Sequence, residues 1–592
     1  MTKKKIVKKK KQKVINLTVE QKTEVVALVT TRFSKAAQFQ KPLFNLFIEF
    51  YRLYRSIIDS KRQNYKGRAK LFIPYIWSTI ETIMPRMVGA KPKIEAIPRE
   101  PNDIANAEST SQLLDYQWDM MDMKKKIKLW VKQSLLYGVG VMKLTWSFKG
   151  EFGNVVQDRP EADVLDLFDF YIDPDATTIQ DAAYIIHRAE RNIDDLKANK
   201  NYIIPKELTV DVTQDGYKIQ RDSILGLSKP KDPDKKKVEL FEYWGLYDIE
   251  GDGIQKECLI TLANRKYIIR ATKNPYNHGQ KPFVVLFDTQ IPNEFWAVGE
   301  VEPLKSLQYE LNDIRNQRMD NVTLILNRMW KVKKGANVDE DELISQAGGV
   351  VHTDDMGGIE TIDTPDVTAS AYNEETLVKS DMQQASGITD YAKGQGSNAV
   401  RGQQGMGNET ATGIMLLQEA GNARFRYKLD NLEDSLRDFG KQLIALNQQY
   451  IDKSVTIRIL GDGGPKWQSV SPTQIKGQYD IAVEAGSTQP MNKSMRRAEA
   501  RELLATVAPF AELGANVKYF LQYLLKTYDL TETEKAFLPQ SEGATRVPEE
   551  VAEKSGGASG AVLGGNVGNR GNASLKRLAT PEIPVREESL PE

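Results

Sequence analysis

The tightest constraint on the fold is a stripe of large apolar side chains late in the chain. Phe425, Leu429, Leu432, Leu436, Phe439, Leu443, Leu446 and Tyr450 follow one another at intervals of four, three, four, three, four, three and four. Residues three and four apart share one face of an α-helix, so the run predicts a helix of about forty residues beginning near Thr410. The same alternation is the pattern of a coiled coil. Because other long helical patterns occur in this chain, the stripe predicts a buried packing spine. Gly440 interrupts it and permits a kink or a close approach.

A second rod begins at Pro303, a residue suited to the first turn of a helix. Leu304, Leu307, Leu311 and Ile314, then Val322, Ile325, Leu326 and Met329, carry a stripe over 303–330, a rod of about 42 Å. The rod also bears Glu310, Asp313, Arg315, Arg318, Asp320 and Arg328. Charges of both signs on a long helix predict lateral contacts with neighbouring helices, or solvent. Residues 331–364 break into short extended pieces, and residues 365–386 return to a helical pattern after Pro365. If the two helices are antiparallel, the insert between them forms a knob at their far end.

Residues 387–409 hold six glycines and no apolar periodicity, which predicts a mobile loop with Lys393 and Arg401 as its cations. Residues 454–484 return to strand-like alternation around the turn Gly461-Asp462-Gly463-Gly464, and residues 491–535 are helical again. The tail 539–592 is rich in Gly, Ser, Ala, Pro and Glu, a composition that predicts disorder. At the other end, eight lysines fall in the first thirteen residues. They predict a basic, disordered arm over 1–39, without the apolar segment of a signal peptide. Residues 40–295 mix helices, the first anchored by Phe44, Phe47, Phe50, Tyr51 and Tyr54, with short strands such as Val238–Trp244. The class is α+β, mainly helical.

Several functions are disfavoured at once. A net charge of +1 gives no global attraction to nucleic acid. Cys258 is the single cysteine, so no internal disulfide and no cysteine-based zinc site exist. His187, His278 and His352 match no metal spacing. The run Asp163, Asp166, Asp169, Asp173, Asp175 invites a metal site, but Asp173-Pro174-Asp175 also reads as a turn, and a structural role is expected. The nucleotide-binding pattern Gly-x-x-x-x-Gly-Lys-Ser/Thr is absent, as are His-Glu-x-x-His and Gly-x-Ser-x-Gly. The chain reads as an assembly protein with no catalytic residues, no metal and no cofactor.

The order of parts then resembles that of phage portal proteins, specifically the large podovirus-type branch. The closest stretches are Asp166-Leu-Phe-Asp-Phe-Tyr-Ile-Asp-Pro-Asp175, Phe295-Trp-Ala-Val-Gly-Glu300, Arg315-Asn-Gln-Arg-Met-Asp-Asn321 and Leu326-Asn-Arg-Met-Trp330. The resemblance covers roughly 40–535 and implies a division of the chain. Residues 40–295 would be the wing, 296–330 and 365–386 the stem helices, and 331–364 the clip. The loop 387–409 would be a tunnel loop carrying Lys393 and Arg401 toward DNA. Residues 410–490 would hold the spine helix and strands of the wing, and 491–538 the crown. It also implies a ring, usually of twelve copies, at one capsid vertex of the virion, made and assembled in the host cytoplasm as a late protein. Its partners would be the terminase large subunit, capsid and scaffolding proteins, a tail or head-completion adaptor, and double-stranded DNA passing without sequence specificity; no membrane takes part in assembly. Glu310, Asp313, Arg315, Arg318 and Asp320 would supply stem or channel charges. The rival readings are another virion connector or adaptor ring, a metal-dependent nuclease using the aspartate run, and a host filamentous or scaffold protein.

Overall fold

The computed structural model describes residues 15, 17–58, 67–89, 91–152, 155–199, 201–210, 216–226, 236–344, 349–388, 411–461, 464–483, 493–507, 509 and 517–528. The first helix corrects the N-terminal expectation. It runs Val19–Tyr54, so much of the stretch read as a disordered arm over 1–39 is ordered helix. Thr18 starts it with a reciprocal cap: its hydroxyl accepts from Gln21 N at 3.2 Å, and its own N–H donates to Gln21 Oε1 at 3.0 Å. Val25, Val29 and Ala36 are buried on the same helix as Phe44, Phe47, Phe50 and Leu53. The dense lysine run ends at Lys13, and an average over 1–39 conceals the apolar face that follows it.

This helix packs on a five-stranded antiparallel sheet whose strands lie in chain order: Phe170–Ile172, Tyr184–Asn192, Lys237–Tyr247, Lys256–Ala263 and Tyr267–Lys273. Phe33 meets Tyr171 and Phe241 edge-on, each at 4.7 Å between ring centres. The Arg32 guanidinium lies over the Tyr184 and Tyr243 rings. A three-stranded sheet, in the order Val155–Val164, Val139–Phe152, Phe283–Phe287, joins distant parts of the chain. Its central strand follows the helix Met123–Tyr137 through Gly138, whose φ is +84°. A Cβ there would lie 1.8 Å from Ala297 O, so both backbone angle and space demand glycine.

The long helix runs Ala411–Tyr450. Phe425, Leu429, Leu432, Leu436, Phe439, Leu443 and Leu446 are buried, and Tyr450 is half-buried. Phe439 meets Trp118 edge-on at 6.2 Å and Tyr450 stacks on Trp146 at 5.2 Å. Gln117 and Asn447 exchange two buried side-chain hydrogen bonds of 2.7 and 2.8 Å. At Gly440 the antiparallel pair Ile94–Pro98 and Tyr479–Val483 comes so close that a Cβ would sit 3.0 Å from Ile481. The stripe therefore spends its apolar face inside its own chain, against helices and sheets, rather than along a matching helix.

Candidate functional site

Two helices, Val301–Leu326 and Thr368–Ser386, pack side by side. The Asn321 amide donates to Pro365 O at 3.0 Å, while Arg315 and Arg318 lie 3.2 and 2.6 Å from Glu375. Positions fall on one helix as they rise on the other, so the pair is an antiparallel hairpin. The first helix stops at Leu326, where Asn327 leaves helical geometry; Arg328 and Met329, read as helical, lie beyond it. At the far end Trp330–Val332 pairs with Ile359–Thr361, and the Trp330 indole donates to Leu343 O at 2.8 Å. Ile344, Val350 and Met356 are exposed in this insert.

Of the five hairpin charges singled out in the sequence, one is buried and two, Arg315 and Asp320, are half-buried. Arg318 is buried, ion-paired to Glu375 and seated 3.9 Å from the centre of the Tyr372 ring. Arg315 shares the same carboxylate, as does Lys379 at 2.7 Å. Glu375, unnoticed in the sequence, is thus the centre of the hairpin's ion network. Glu310 and Asp313 are exposed, whereas half-buried Asp320 accepts a hydrogen bond from Ala69 N. The hairpin cations Lys305, Arg315, Arg318 and Lys379 all sit in ion pairs. Glu302, Glu310, Glu374 and Asp381 are exposed with no ion-pair partner among the described residues. The exposed hairpin charges that lack an ion-pair partner among the described residues are thus acidic.

Asp320 belongs to a polar ladder that the sequence reading missed. Gln308, Asn312, Asn316 and Asp320 recur every four residues along one line of the first hairpin helix. Opposite them runs an extended strap, residues 69–73. Asp320 accepts from Ala69 N; Asn316 accepts from Leu71 N at 2.7 Å and donates to Leu71 O at 2.8 Å. Asn312 accepts from Ile73 N at 2.9 Å, and Gln308 donates to Ile73 O at 2.8 Å and accepts from Ile76 N at 3.2 Å. Four helical residues advance about 6 Å and two extended residues about 6.6 Å, so the repeats match. A column of side chains thus does for the strap what a neighbouring strand would do. The four-residue recurrence was visible in the sequence, but a polar column reads there as a solvated face.

The root of the same helix holds a buried charge cluster. Lys428, on the long helix, is ion-paired with Asp288 and, at 2.7 Å, with Glu300, the residue preceding Val301. Burial, reinforced by the Glu300 charge, pushes the Asp288 carboxyl up to about 7, although Lys428 acts against this. Lys428 is held protonated above its ordinary value by the two carboxylates, against the cost of its own burial.

Four of the five aspartates in the run are engaged in structure. Asp166 accepts from Phe168 N at 3.2 Å and lies 2.8 Å from Arg221. Asp169 pairs with Lys218 and is pushed up to about 6 by burial. Asp173 accepts from Ala183 N at 3.2 Å, and Asp163 lies 3.7 Å from Lys126. Among the described residues no group of three or more His, Cys, Asp or Glu side chains is placed to hold a metal ion. Nor is any helix among them long and apolar enough to cross a membrane. Lys393 and Arg401 lie outside the described residues, as does the tail 539–592. Compared with known families, residues 153–554, more than half of the chain, match the family described as phage SU10 portal protein; residues 47–250 match the family described as phage P22-like portal protein.

Proposed function

The chain belongs to the phage portal proteins of the podovirus type and serves genome packaging and ejection, and we propose that it does so as one subunit of a passive, ring-shaped channel. Twelve copies close the ring at one capsid vertex. The helix from Val19 and residues 40–295 form the wing, 296–330 and 365–386 the stem, and 331–364 the clip. Residues 387–409 form a tunnel loop that brings Lys393 and Arg401 to the DNA. The long helix and the strands to 490 complete the wing, and 491–538 form the crown. The terminase large subunit docks during packaging. Capsid and scaffolding proteins hold the wing, and a tail or head-completion adaptor takes the exposed apolar residues of the clip.

The matches over 47–554 carry this reading. The charge pattern of the hairpin supports its mechanism. A basic wall would retain DNA through many phosphate contacts, because each neutralised phosphate releases counterions. Here the cations are bound in ion pairs while Glu302, Glu310, Glu374 and Asp381 are exposed. Carboxylates within about 8 Å of a phosphate repel it at physiological salt and keep the duplex sliding. Imaging the purified protein by electron cryo-microscopy tests both points. The expected particle is a closed ring whose hole admits a duplex and whose lumen is lined by Glu310 and its acidic neighbours. A chain that stays monomeric at high concentration and with its virion partners, or a ring with those carboxylates all on the outside, would refute the reading.

A further inference from the structure

We propose that the Asp288–Lys428–Glu300 cluster is a proton-operated latch: it holds one exchangeable proton, whose loss loosens the root of the first hairpin helix. This goes beyond the channel reading and does not depend on it. One ammonium faces two carboxylates, and their side chains are only 9, 1 and 12% exposed for Lys428, Asp288 and Glu300. Fully ionised, the cluster carries an uncompensated negative charge away from water, a state that protein interiors relieve by taking up a proton.

Geometry says where the proton goes. Asp288 Oδ1 is occupied by Lys428, whereas Asp288 Oδ2 is buried with no hydrogen-bond partner among the described residues. A proton on Oδ2 therefore breaks no existing bond. Among the described residues, Lys428 from the long helix and Glu300 from the start of the hairpin are the charged groups acting on Asp288. The remaining neighbours offer uncharged groups: Asp288 N donates to Gly138 O at 2.9 Å, and the Asn431 amide donates to Asp288 O at 3.1 Å. Glu300 N donates to Leu135 O at 2.8 Å. One cluster thus ties the three-stranded sheet, the helix Met123–Tyr137, the long helix and the hairpin, and it acts at Glu300, immediately before the first hairpin helix.

The direction of the pH effect follows from linkage. Asp288 titrates near 7 in the closed latch and in the ordinary carboxylate range once opened. The closed form binds one proton more between those limits. Its stability is complete at low pH and is lost as pH rises through about 7. Hydrogen exchange of the full-length protein, followed by mass spectrometry on peptides covering 296–304 and corrected for intrinsic exchange, reads this out. Opening should rise by up to about tenfold per pH unit between about 5 and 7 and level off above. Asp288→Asn, which mimics the neutral acid, should flatten the profile. Glu300→Gln, which leaves one carboxylate per ammonium, should reach its plateau at lower pH and serves should the first variant not fold. A pH-independent wild-type profile, or both variants retaining the wild-type slope, overturns the latch.

Discussion

Replacing Asn316 by aspartate probes the polar ladder at one of its two most enclosed rungs. Asn316 is 1% exposed. Its carbonyl accepts from Leu71 N, and its amide nitrogen donates to Leu71 O at 2.8 Å and to Asn312 O at 2.7 Å. Aspartate has almost the same shape and keeps the acceptor. It removes both donations and turns a carboxylate oxygen toward two carbonyl oxygens. Two lost hydrogen bonds cost about 1 kcal/mol each, and a poorly paired buried polar or charged group adds about 1–3 kcal/mol. The expected loss is about 3–5 kcal/mol, concentrated in the strap, and 3 kcal/mol is roughly a hundredfold in an opening equilibrium. Arg68 and Lys70 make the strap a trypsin substrate once it opens. Initial cleavage after these residues should therefore accelerate about a hundredfold at pH 8, where cleavage follows the open population. Burial raises the pKa of the introduced carboxyl, and its neutral form can donate one of the lost bonds. Stability is thus regained as pH falls, and the ratio to wild type should shrink toward pH 5.5. Cleavage within about threefold of wild type at both pH values would refute the idea that the ladder holds the strap.

Glu375→Gln should weaken the hairpin by about 3–5 kcal/mol, because it strands the buried Arg318 without its counter-charge. Faster hydrogen exchange across 301–326 and 368–386 is the readout, and adding Arg318→Met should restore part of the loss. Gly138→Ala should abolish soluble expression, since a methyl group there meets Ala297 O at 1.8 Å. Gly279→Ala shares a positive φ but has open space, so it should cost about 1 kcal/mol, measurable as a small drop in unfolding temperature.

Periodicity determined the rods. The three-and-four spacing from Phe425 to Tyr450 implies a helix wherever it folds, because side-chain direction repeats with the backbone. The stripe from Leu304 and its loss by about residue 330 told of two helices around an insert, although the first helix ends at Leu326 and only the structure decided that the pair is antiparallel. Composition was a weaker guide: the lysines before residue 14 spread their reading over a helix whose Val25, Val29 and Ala36 are buried. What only the tertiary structure decided is which partner each polar group meets. Glu375 lies 57 residues along the chain from Arg318 in sequence number, Asp320 holds Ala69 N, and Lys428 reaches back to Asp288 and Glu300. Apolar burial is nondirectional and leaves a periodic trace in sequence. Hydrogen bonds and ion pairs depend on atoms meeting within about 3 Å, and no spacing rule connects residues that far apart. The ladder and the Asp288–Lys428–Glu300 cluster were therefore present in the residues but became recognisable only when the chain closed on itself.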